Sequence, residues 1–275
     1  MLTISIVLYQ NEKEQIIEAV KSGLKTDREM KLLLVDNSPT DELKYLAEID
    51  KERIEYIFND ANIGFGAGHN IAIKKVQDYS TYHLVLNPDV SFEHGVLDSL
   101  IDFMDENPDV GNVMPKVYYE IGELQYLCKL LPTPYDWIGR RFNPFKSLVE
   151  KRNNLFEMRF TGYKEQMQVP YLSGCFMFLR ISALKKIGLF DERIFMYGEE
   201  TDLGRRLIAG GYKTIFYPKV SIIHLFQKGS HKSRRLTWIG IQSAWYYFNK
   251  WGWFFDRERR QINKNTLRQF KETVN

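Results

Sequence analysis

Apolar and polar residues alternate in blocks along the first 90 residues of the chain. Four apolar runs of strand length occur at residues 3–8, 31–35, 53–58 and 82–86. Residues 12–24 and 68–76 instead carry apolar side chains at helical spacing. This alternation predicts an α/β fold with a mostly parallel central sheet and helices on both faces.

The pattern is less regular beyond residue 115. Residues 118–168 mix aromatic, proline and basic residues without a clean period, which indicates an insertion or a ligand-side loop. Regularity then returns in five segments: a strand or buried turn at 169–180, helices at 182–187 and 199–209, and strands at 214–217 and 220–224. We therefore predict one large domain followed by a distinct tail.

Composition limits the class of protein. A chain of 275 residues that is 44% hydrophobic can bury a sizeable core, which excludes a disordered or fibrous protein. Two cysteines, Cys128 and Cys175, are too few for a disulfide framework and suit a reducing compartment. With neither a basic leader nor an apolar run of about 20 residues, we expect a cytoplasmic protein or one attached to a membrane surface.

Polar residues follow each of the four apolar runs directly. These segments are Tyr9-Gln10-Asn11, Asp36-Asn37-Ser38, Asn59-Asp60-Ala61-Asn62 and Asn87-Pro88-Asp89. In open α/β sheets, ligands bind beyond the carboxyl ends of the strands. The sequence therefore predicts a ligand site at these strand ends.

Asn87-Pro88-Asp89 is a candidate for metal and diphosphate binding. Mg²⁺ or Mn²⁺ bridging a nucleotide diphosphate needs only one or two protein carboxylates besides phosphate oxygens and water, and Asp89 can supply one. The same residue types also form ordinary turns, so a turn without chemistry is the alternative.

Glu199-Glu200-Thr201-Asp202 opens a predicted helix and is a candidate for acid or base catalysis. Carboxylates this close repel one another, which raises their pKa values and is frequent at catalytic sites. Acidic residues in the first turn are also favoured by the helix dipole, so simple capping is the alternative.

Two further features carry weaker signals. Residues 64–68 contain three glycines but follow the third strand and lack a ribose-binding acid, so we predict a turn into a helix whose His69 and Asn70 face the ligand end of the sheet. His224 ends a predicted strand. A lone histidine is more often structural, although beside Asp89 it would suit Mg²⁺ or Mn²⁺.

Taken in order, these segments resemble the inverting glycosyltransferases of family two, in particular the rhamnosyltransferase-like and galactofuranosyltransferase-like members. The resemblance runs from Ile4 to about Lys250, and several ordered segments are more specific than any one motif. The matching segments are 5–9, 34–38, 62–70, 86–90, 173–177, 188–191 and 197–203. The resemblance implies a GT-A nucleotide-diphospho-sugar transferase fold.

The resemblance also implies a role for individual positions. The positions implied in donor binding are Tyr9, Asp36, Asn62, Gly68, Asn70, Asn87 and Asp89. Among them, Tyr9 and Asp36 would border the nucleobase and ribose. Asp89 matches the last aspartate of the metal-binding DxD motif, and His224 matches a second metal contact. Asn87 stands where the motif has its first aspartate, which removes one charge from the metal site.

On the acceptor side, Glu200 matches the carboxylate that deprotonates the acceptor hydroxyl, and it is one methylene longer than the aspartate often found there. The other acceptor-side positions are Ser173, Gly174, Glu199 and Asp202. The implied reaction is inverting transfer of rhamnose from dTDP-rhamnose to a glycan or lipid-linked glycan in cell-surface polysaccharide synthesis. A UDP-hexose or UDP-galactofuranose is the alternative donor.

We expect a catalytic domain at residues 1–227, with a nucleotide-binding half to about 116 and an acceptor-side half from about 117, and a helical extension at 228–275. This extension has 11 Lys or Arg against 3 Asp or Glu, a local charge of +8 in a chain whose net charge is +3.

Large apolar residues, three of them aromatic, recur in the extension at helical spacing, at Trp238, Ile241, Trp245 and Phe248. Core packing is the default interpretation, although an aromatic and basic composition also suits an anionic membrane surface.

Two other classes of protein remain as rivals. A nucleic-acid-binding protein would leave the polar strand ends unexplained, so we expect no nucleic acid partner. A sugar nucleotidyltransferase usually has a basic glycine-rich phosphate loop after the first strand, where this chain has Tyr9-Gln10-Asn11-Glu12.

Overall fold

A computed structural model of the chain describes residues 1–225 and 234–270. Its strands are β1 (Leu2–Leu8), β2 (Met30–Asp36), β3 (Ile54–Phe58), β4 (Tyr82–Leu86), β5 (Val90–Ser91), β6 (Val110–Tyr118), β7 (Cys128–Lys129), β8 (Met167–Gln168), β9 (Tyr171–Leu172), β10 (Phe176–Arg180) and β11 (Lys213–His224). Its α-helices are α1 (Lys13–Gly23), α2 (Phe65–Val76), α3 (Val96–Glu106), α4 (Pro134–Trp137), α5 (Lys146–Phe156), α6 (Ile181–Ile187), α7 (Glu199–Ala209), α8 (Arg234–Trp251) and α9 (Arg257–Arg268). Short 3₁₀ helices lie at Lys44–Ile49, Gly139–Phe142 and Arg159–Thr161.

The central sheet has the order β3-β2-β1-β4-β10-β6-β11-β5, with β8 paired to β11. Strands β1 to β4 pair in parallel, as do β6 and β11. Strand β10 runs antiparallel to both β4 and β6, because it is entered from the irregular segment rather than through a helical crossover. The predicted α/β fold with a central sheet is confirmed, and its parallel pairing is concentrated in β1–β4.

Alternate residues of β1 face opposite layers of helices. Ile4 and Ile6 belong to the large core cluster that includes residues of α1 and α3. Val7 packs instead with residues of α2, and the Ser5 hydroxyl contacts a side chain of the same helix. The face of β1 toward α1 and α3 carries only apolar side chains, whereas the face toward α2 also carries the hydrogen-bonded Ser5.

The segment at 118–168 contains ordered helices rather than a simple loop. Helix α4 begins at a capping box, in which Thr133 and Asp136 exchange hydrogen bonds. The buried Asp136 carboxylate also accepts two hydrogen bonds from Arg152 at 2.6 Å, which ties α5 to α4. Helix α4 is too short for hydrophobic periodicity to reveal, and α5 buries only Phe156, so it carries no apolar stripe.

A single long strand, β11, replaces the two strands predicted at 214–217 and 220–224. Its pairing with β6 shifts register between Tyr217 and Ser221, next to Pro218. Proline cannot donate a ladder hydrogen bond, so the sequence pattern breaks although the chain continues in the same direction.

The C-terminal extension packs on the rest of the molecule through one face of α8. Ala244, Tyr247 and Phe248 are buried, and the Trp137 ring of α4 lies 5.2 Å from that of Tyr247. Trp238 and Trp245 are 61% and 60% exposed. The expectation of core packing is therefore right for Phe248 and wrong for these two tryptophans, which point away from the buried face.

Helix α9 is attached by a buried ion pair. Arg205 of α7 donates to both oxygens of Asp256 at 2.6 and 2.8 Å, and it also reaches Glu258. The predicted boundaries at 116/117 and 227/228 stay predictions, and the second lies outside the described residues.

Candidate active site

The carboxyl ends of the parallel strands β1 to β4 meet at one edge of the sheet, as the polar segments predicted. The Asn37 amide donates to the Leu8 carbonyl at 2.9 Å, and the Asn59 amide donates to the Asp36 carbonyl at 2.9 Å. The Gln10 amide donates to the Ser38 hydroxyl at 3.0 Å. These bonds hold the ends of β1, β2 and β3 side by side.

Asp36 is fully buried at the end of β2. One carboxylate oxygen accepts a hydrogen bond from the Ser38 amide at 2.8 Å, and the other accepts from the Tyr56 hydroxyl at 2.6 Å. Burial and this carboxylate raise the pKa of Tyr56. Tyr9, at the end of β1, is 40% exposed. Both oxygens of Asp36 are thus occupied within the protein, and the predicted contacts of Asp36 and Tyr9 with a nucleobase and ribose stay predictions.

The glycine-rich segment and α2 serve mainly to pack the protein. Asn62 is exposed and accepts from the Gly64 amide at 3.2 Å. Gly68 permits close packing, since a Cβ there would lie 2.8 Å from Val7 Cγ2. Asn70 donates to the Phe190 carbonyl and to Glu192, and it accepts from the Phe190 amide. The structure therefore gives Gly68 and Asn70 internal contacts, and their predicted donor contacts stay predictions.

His69 does not face the ligand end of the sheet, so that expectation was wrong. Its ring is fully buried, and Nδ1 lies 2.6 Å from the Ser5 hydroxyl. The same hydroxyl lies 2.8 Å from His83 Nε2. His69 points into the sheet because the polar Ser5 side chain is on the face that α2 covers.

Asp89 and His224 come together through strand pairing. Strands β5 and β11 pair antiparallel with His224 opposite Val90, and the Leu225 amide donates to the Asp89 carbonyl at 2.9 Å. Asp89 Oδ1 lies 3.4 Å from His224 Nε2. That oxygen is buried and has no hydrogen-bond partner among the described residues.

A carboxylate oxygen and an imidazole nitrogen at this distance form a donor set suited to a divalent cation. Within the described ranges, no group of three His, Cys, Asp or Glu side chains forms a possible metal centre. The pair therefore fits a metal that takes its remaining ligands from phosphate and water.

Glu200 lies in the first turn of α7, held by two hydrogen bonds. One carboxylate oxygen accepts from the Tyr171 hydroxyl at 3.0 Å, and the other accepts from the Gly198 amide at 2.9 Å. Burial and Glu200 raise the pKa of Tyr171, which keeps this phenol a donor. The Glu200 side chain is only partly buried. Its position is thus fixed while part of its surface stays open.

The turn before Glu200 has an unusual backbone conformation. Tyr197 has a φ of 73° and Gly198 a φ of 111°. A Cβ at Gly198 would lie 2.4 Å from the indole of Trp137. Glycine is therefore needed at this position both for its backbone angle and for the space that Trp137 occupies.

Glu199 and Asp202 point into the protein. Glu199 is 3% exposed, and burial, reinforced by the neighbouring Glu200, raises its pKa well above the usual range. The predicted rise is therefore present at Glu199, although burial contributes more than repulsion. Asp202 is fully buried and binds Arg206, Trp251 and Lys250. It connects α7 to α8, and its predicted acceptor-side role stays a prediction.

The turn at Ser173, Gly174 and Cys175 lies between the two acidic motifs. The Asn87 amide donates to the Cys175 carbonyl at 2.9 Å. On the other side, a Cβ at Gly174 would lie 3.7 Å from Cβ of Glu200. The structure thus brings the Asn87-Pro88-Asp89 segment and Glu200 to opposite sides of one short turn.

Sequence patterns did not indicate three residues around this site. Tyr171 holds Glu200, Trp137 packs on Gly198, and Lys129 lies over the Tyr171 ring with its Nζ 5.1 Å from the ring centroid. The position of Tyr171, two residues before Ser173, was the one available signal. Trp137 and Lys129 lie in the segment without a period.

Comparisons with known proteins identify the family of the chain. Residues 4–188 match the model of the Glycosyl transferase family 2. N-acetylglucosaminyl-diphospho-decaprenol L-rhamnosyltransferase of Mycobacterium tuberculosis is 27% identical over 217 residues, covering 74% of this chain and 68% of that protein. Rhamnosyltransferase WbbL of Escherichia coli (strain K12) is 26% identical over 226 residues, covering 80% of this chain and 82% of that protein.

A crystal structure of GalNAc-T7 with UDP, GalNAc and Mn²⁺ superposes with a TM-score of 0.61 at 14% sequence identity. The superposition covers 82% of this chain and 43% of that one, which shows a shared GT-A fold. None of the helices in the described part of the chain is long and apolar enough to span a bilayer. From the match over residues 4–188 and the similarity to two rhamnosyltransferases, we conclude that the chain is a glycosyltransferase that belongs to glycosyl transferase family 2.

Proposed function

We propose that this enzyme transfers rhamnose from dTDP-rhamnose to a lipid-linked glycan with inversion at the anomeric carbon. The observation that carries the proposal is the turn at 173–175, which contacts the Asn87 segment on one side and Glu200 on the other. A transfer reaction needs a group that stabilises the departing diphosphate and a base for the acceptor, close to each other. The two rhamnosyltransferase relatives support the choice of sugar.

Asp89 and His224 would hold Mg²⁺ or Mn²⁺ on the donor diphosphate. The buried Asp89 oxygen without a hydrogen-bond partner among the described residues, 3.4 Å from His224 Nε2, supports this assignment. When bound, such a cation neutralises charge that develops on the leaving diphosphate. A UDP-hexose or UDP-galactofuranose fits the same two residues and is the alternative donor.

Glu200 acts as the general base. Its carboxylate accepts the proton of the acceptor hydroxyl as that oxygen bonds to the anomeric carbon, and the bond from this carbon to the diphosphate breaks. Tyr171 and the Gly198 amide orient the carboxylate through their hydrogen bonds. A single displacement of this kind inverts the configuration at the anomeric carbon.

The acceptor is a glycan attached to a lipid through a diphosphate, as in the name of the M. tuberculosis relative. The exposed tryptophans of α8 support a position of the enzyme on the cytoplasmic face of a membrane, where such acceptors are available. The same extension carries exposed arginines, at Arg234 and Arg235 in α8 and at Arg257 and Arg260 in α9.

The reaction is tested by measuring release of nucleoside diphosphate from dTDP-rhamnose and UDP-sugars in the presence of acceptor. Glu200→Gln keeps the size of the side chain and one acceptor oxygen for the Gly198 amide but removes the basicity, so turnover should fall about 10²- to 10⁴-fold. Binding of dTDP should be unchanged. Glu165→Gln, at an exposed position, is the matched control and should keep full turnover.

Unchanged turnover in Glu200→Gln would place the base elsewhere. Release of pyrophosphate from a nucleoside triphosphate and a sugar 1-phosphate, with no release of nucleoside diphosphate from the nucleotide-sugars, would instead identify a sugar nucleotidyltransferase.

A further inference from the structure

Lys129 lies beside the catalytic carboxylate but has no role in the reaction described above. Strands β7 and β9 pair antiparallel with Lys129 opposite Tyr171. The ammonium group of Lys129 lies over the Tyr171 ring, 5.1 Å from its centroid. The hydroxyl of the same ring donates to Glu200 at 3.0 Å. One phenol ring therefore separates a cation from the general base.

The ammonium group has no carboxylate within ion-pair distance among residues 1–225 and 234–270. The nearby Glu157 carboxylate is already shared, with one oxygen accepting from Arg140 at 3.3 Å and the other from Arg159 at 2.8 Å. Lys129 is half-buried, and burial lowers its pKa although Glu157 and Glu200 partly oppose the change. A lysine in this environment gains from binding an anion, because an anion replaces the lost hydration.

We infer that Lys129 binds a phosphate of the acceptor, namely the diphosphate that joins the accepting sugar to its lipid. This inference rests on the proposed acceptor class. In such an acceptor the sugar hydroxyl contacts Glu200 while the phosphate is attached to the same sugar, about one ring away. The Tyr171 ring sets a similar separation between Glu200 and Lys129.

A structural role for Lys129, limited to packing against Tyr171, makes a different prediction. Loss of the lysine would then disturb Tyr171 and Glu200 and weaken every acceptor equally. Binding of a phosphate predicts a loss only for acceptors that carry one. The two roles are therefore separated by the dependence on acceptor charge.

The test compares equilibrium binding of two probes without donor, so that no turnover occurs. One probe is N-acetylglucosamine linked through diphosphate to farnesol, and the other is the uncharged octyl glycoside of the same sugar. Lys129→Met should weaken binding of the diphosphate probe about tenfold to hundredfold and leave the octyl glycoside unchanged. Lys129→Arg should retain most of the binding, and Lys164→Met, at an exposed position, is the matched control.

Equal binding of the two probes by the unaltered protein, or an equal loss for both in Lys129→Met, would overturn the inference. Failure of this inference is distinguished from failure of the proposed function by measuring nucleoside diphosphate release with the same protein preparations. If release depends on Glu200 while Lys129 has no charge-specific effect, only the inference about the acceptor phosphate fails.

Discussion

At the scale of single residues, the proposed metal site depends on one carboxylate where the related motif has two. Asp89 lies next to His224, while position 87 carries an amide. The charge that a divalent cation meets on the protein is therefore small, and phosphate oxygens must supply much of its coordination.

Exchanges at positions 87 and 89 should consequently change metal-dependent binding in opposite directions. Asp89→Asn should weaken the Mn²⁺-dependent part of dTDP binding about tenfold to hundredfold. Asn87→Asp should strengthen it, because a second carboxylate is added. Titration calorimetry with and without Mn²⁺ measures both, and equal Mn²⁺ dependence in all three proteins would exclude Asp89 as a ligand.

Gly198 connects backbone conformation to the position of Glu200, the proposed base. Gly198→Ala combines a positive φ with a Cβ 2.4 Å from Trp137, so we expect a loss of about 1–3 kcal/mol in unfolding free energy and a lower turnover. Gly122 has a φ of 82° but open space around its Cβ position. Gly122→Ala is therefore the control for the cost of the backbone angle, and urea unfolding compares the two variants. Equal losses in both would show that Trp137 imposes no constraint.

At the scale of elements, α8 supports the loop that leads to Glu200. Lys250 binds Asp191 at 2.8 Å and the buried Asp202 at 2.7 Å, and the Ser243 hydroxyl donates to the Met196 carbonyl. Although burial opposes it, Arg193 and Lys250 hold the pKa of Asp191 well below the usual range. The extension therefore packs against the segment that leads to the candidate active site and is not a detached tail.

Strands β1 and β4 and helix α2 share a buried hydrogen-bond network. Thr3 and Ser5 contact the two ring nitrogens of His83 at 2.8 Å, and Ser5 also contacts His69. Burial lowers the pKa of His83 to about 3, and burial together with His83 lowers the pKa of His69. The folded protein thus keeps both rings neutral.

Stability should fall with acid for this reason. Below pH 6.5 the unfolded chain binds a proton at His83, whereas the folded protein does so only near pH 3, so unfolding takes up protons between these values. Each such group lowers the unfolding free energy by about 1.4 kcal/mol per pH unit. The raised pKa of Glu199 has the opposite effect, since it increases the unfolding free energy as the pH falls. The contribution of His83 must therefore be measured by comparison with a variant.

Urea unfolding at pH 5 and pH 6 provides the measurement. His83→Gln should reduce the pH dependence by about 1.4 kcal/mol per pH unit relative to the unaltered protein, whatever its absolute stability. The same pH dependence in both proteins would mean that His83 does not stay neutral in the folded state.

At the scale of the whole molecule, the C-terminal extension has a buried surface and an exposed aromatic surface. One face of α8 is buried against Trp137, while Trp238 and Trp245 are exposed together with neighbouring arginines. Tryptophan and arginine suit the boundary between lipid headgroups and acyl chains.

We expect the protein to bind vesicles that contain phosphatidylserine and not neutral vesicles or oligonucleotides. Removing Arg234 and Arg235 together should weaken binding, since each basic residue near anionic lipid contributes about 1 kcal/mol. Trp245→Ala should also weaken it, whereas Tyr79→Ala, at a 51% exposed aromatic residue elsewhere, is the control. Co-sedimentation at low and high salt measures these effects. Equal affinity for neutral and anionic vesicles would contradict a contribution of the basic residues to membrane binding.

Local periodicity was sufficient to predict much of the architecture. Strand β4 and helix α7 occupy the residues predicted for them, and the polar segments after β1, β2 and β4 lie at one edge of the sheet. These features were predictable because helices and strands place apolar residues at fixed intervals, and parallel strands place their ends together. The family could likewise be predicted, since its motifs are short, local and ordered along the chain.

The contacts that complete the candidate site were decided only by the tertiary structure. Lys129 and Glu200 are 71 positions apart in sequence. They lie close together because β7 pairs with β9 and both side chains contact Tyr171. The antiparallel insertion of β10 and the exposure of Trp238 and Trp245 depend in the same way on which surfaces pack together. Sequence alone therefore determined the elements and the order of the motifs, whereas long-range packing determined which side chains surround the base, because no local period encodes contacts between distant segments.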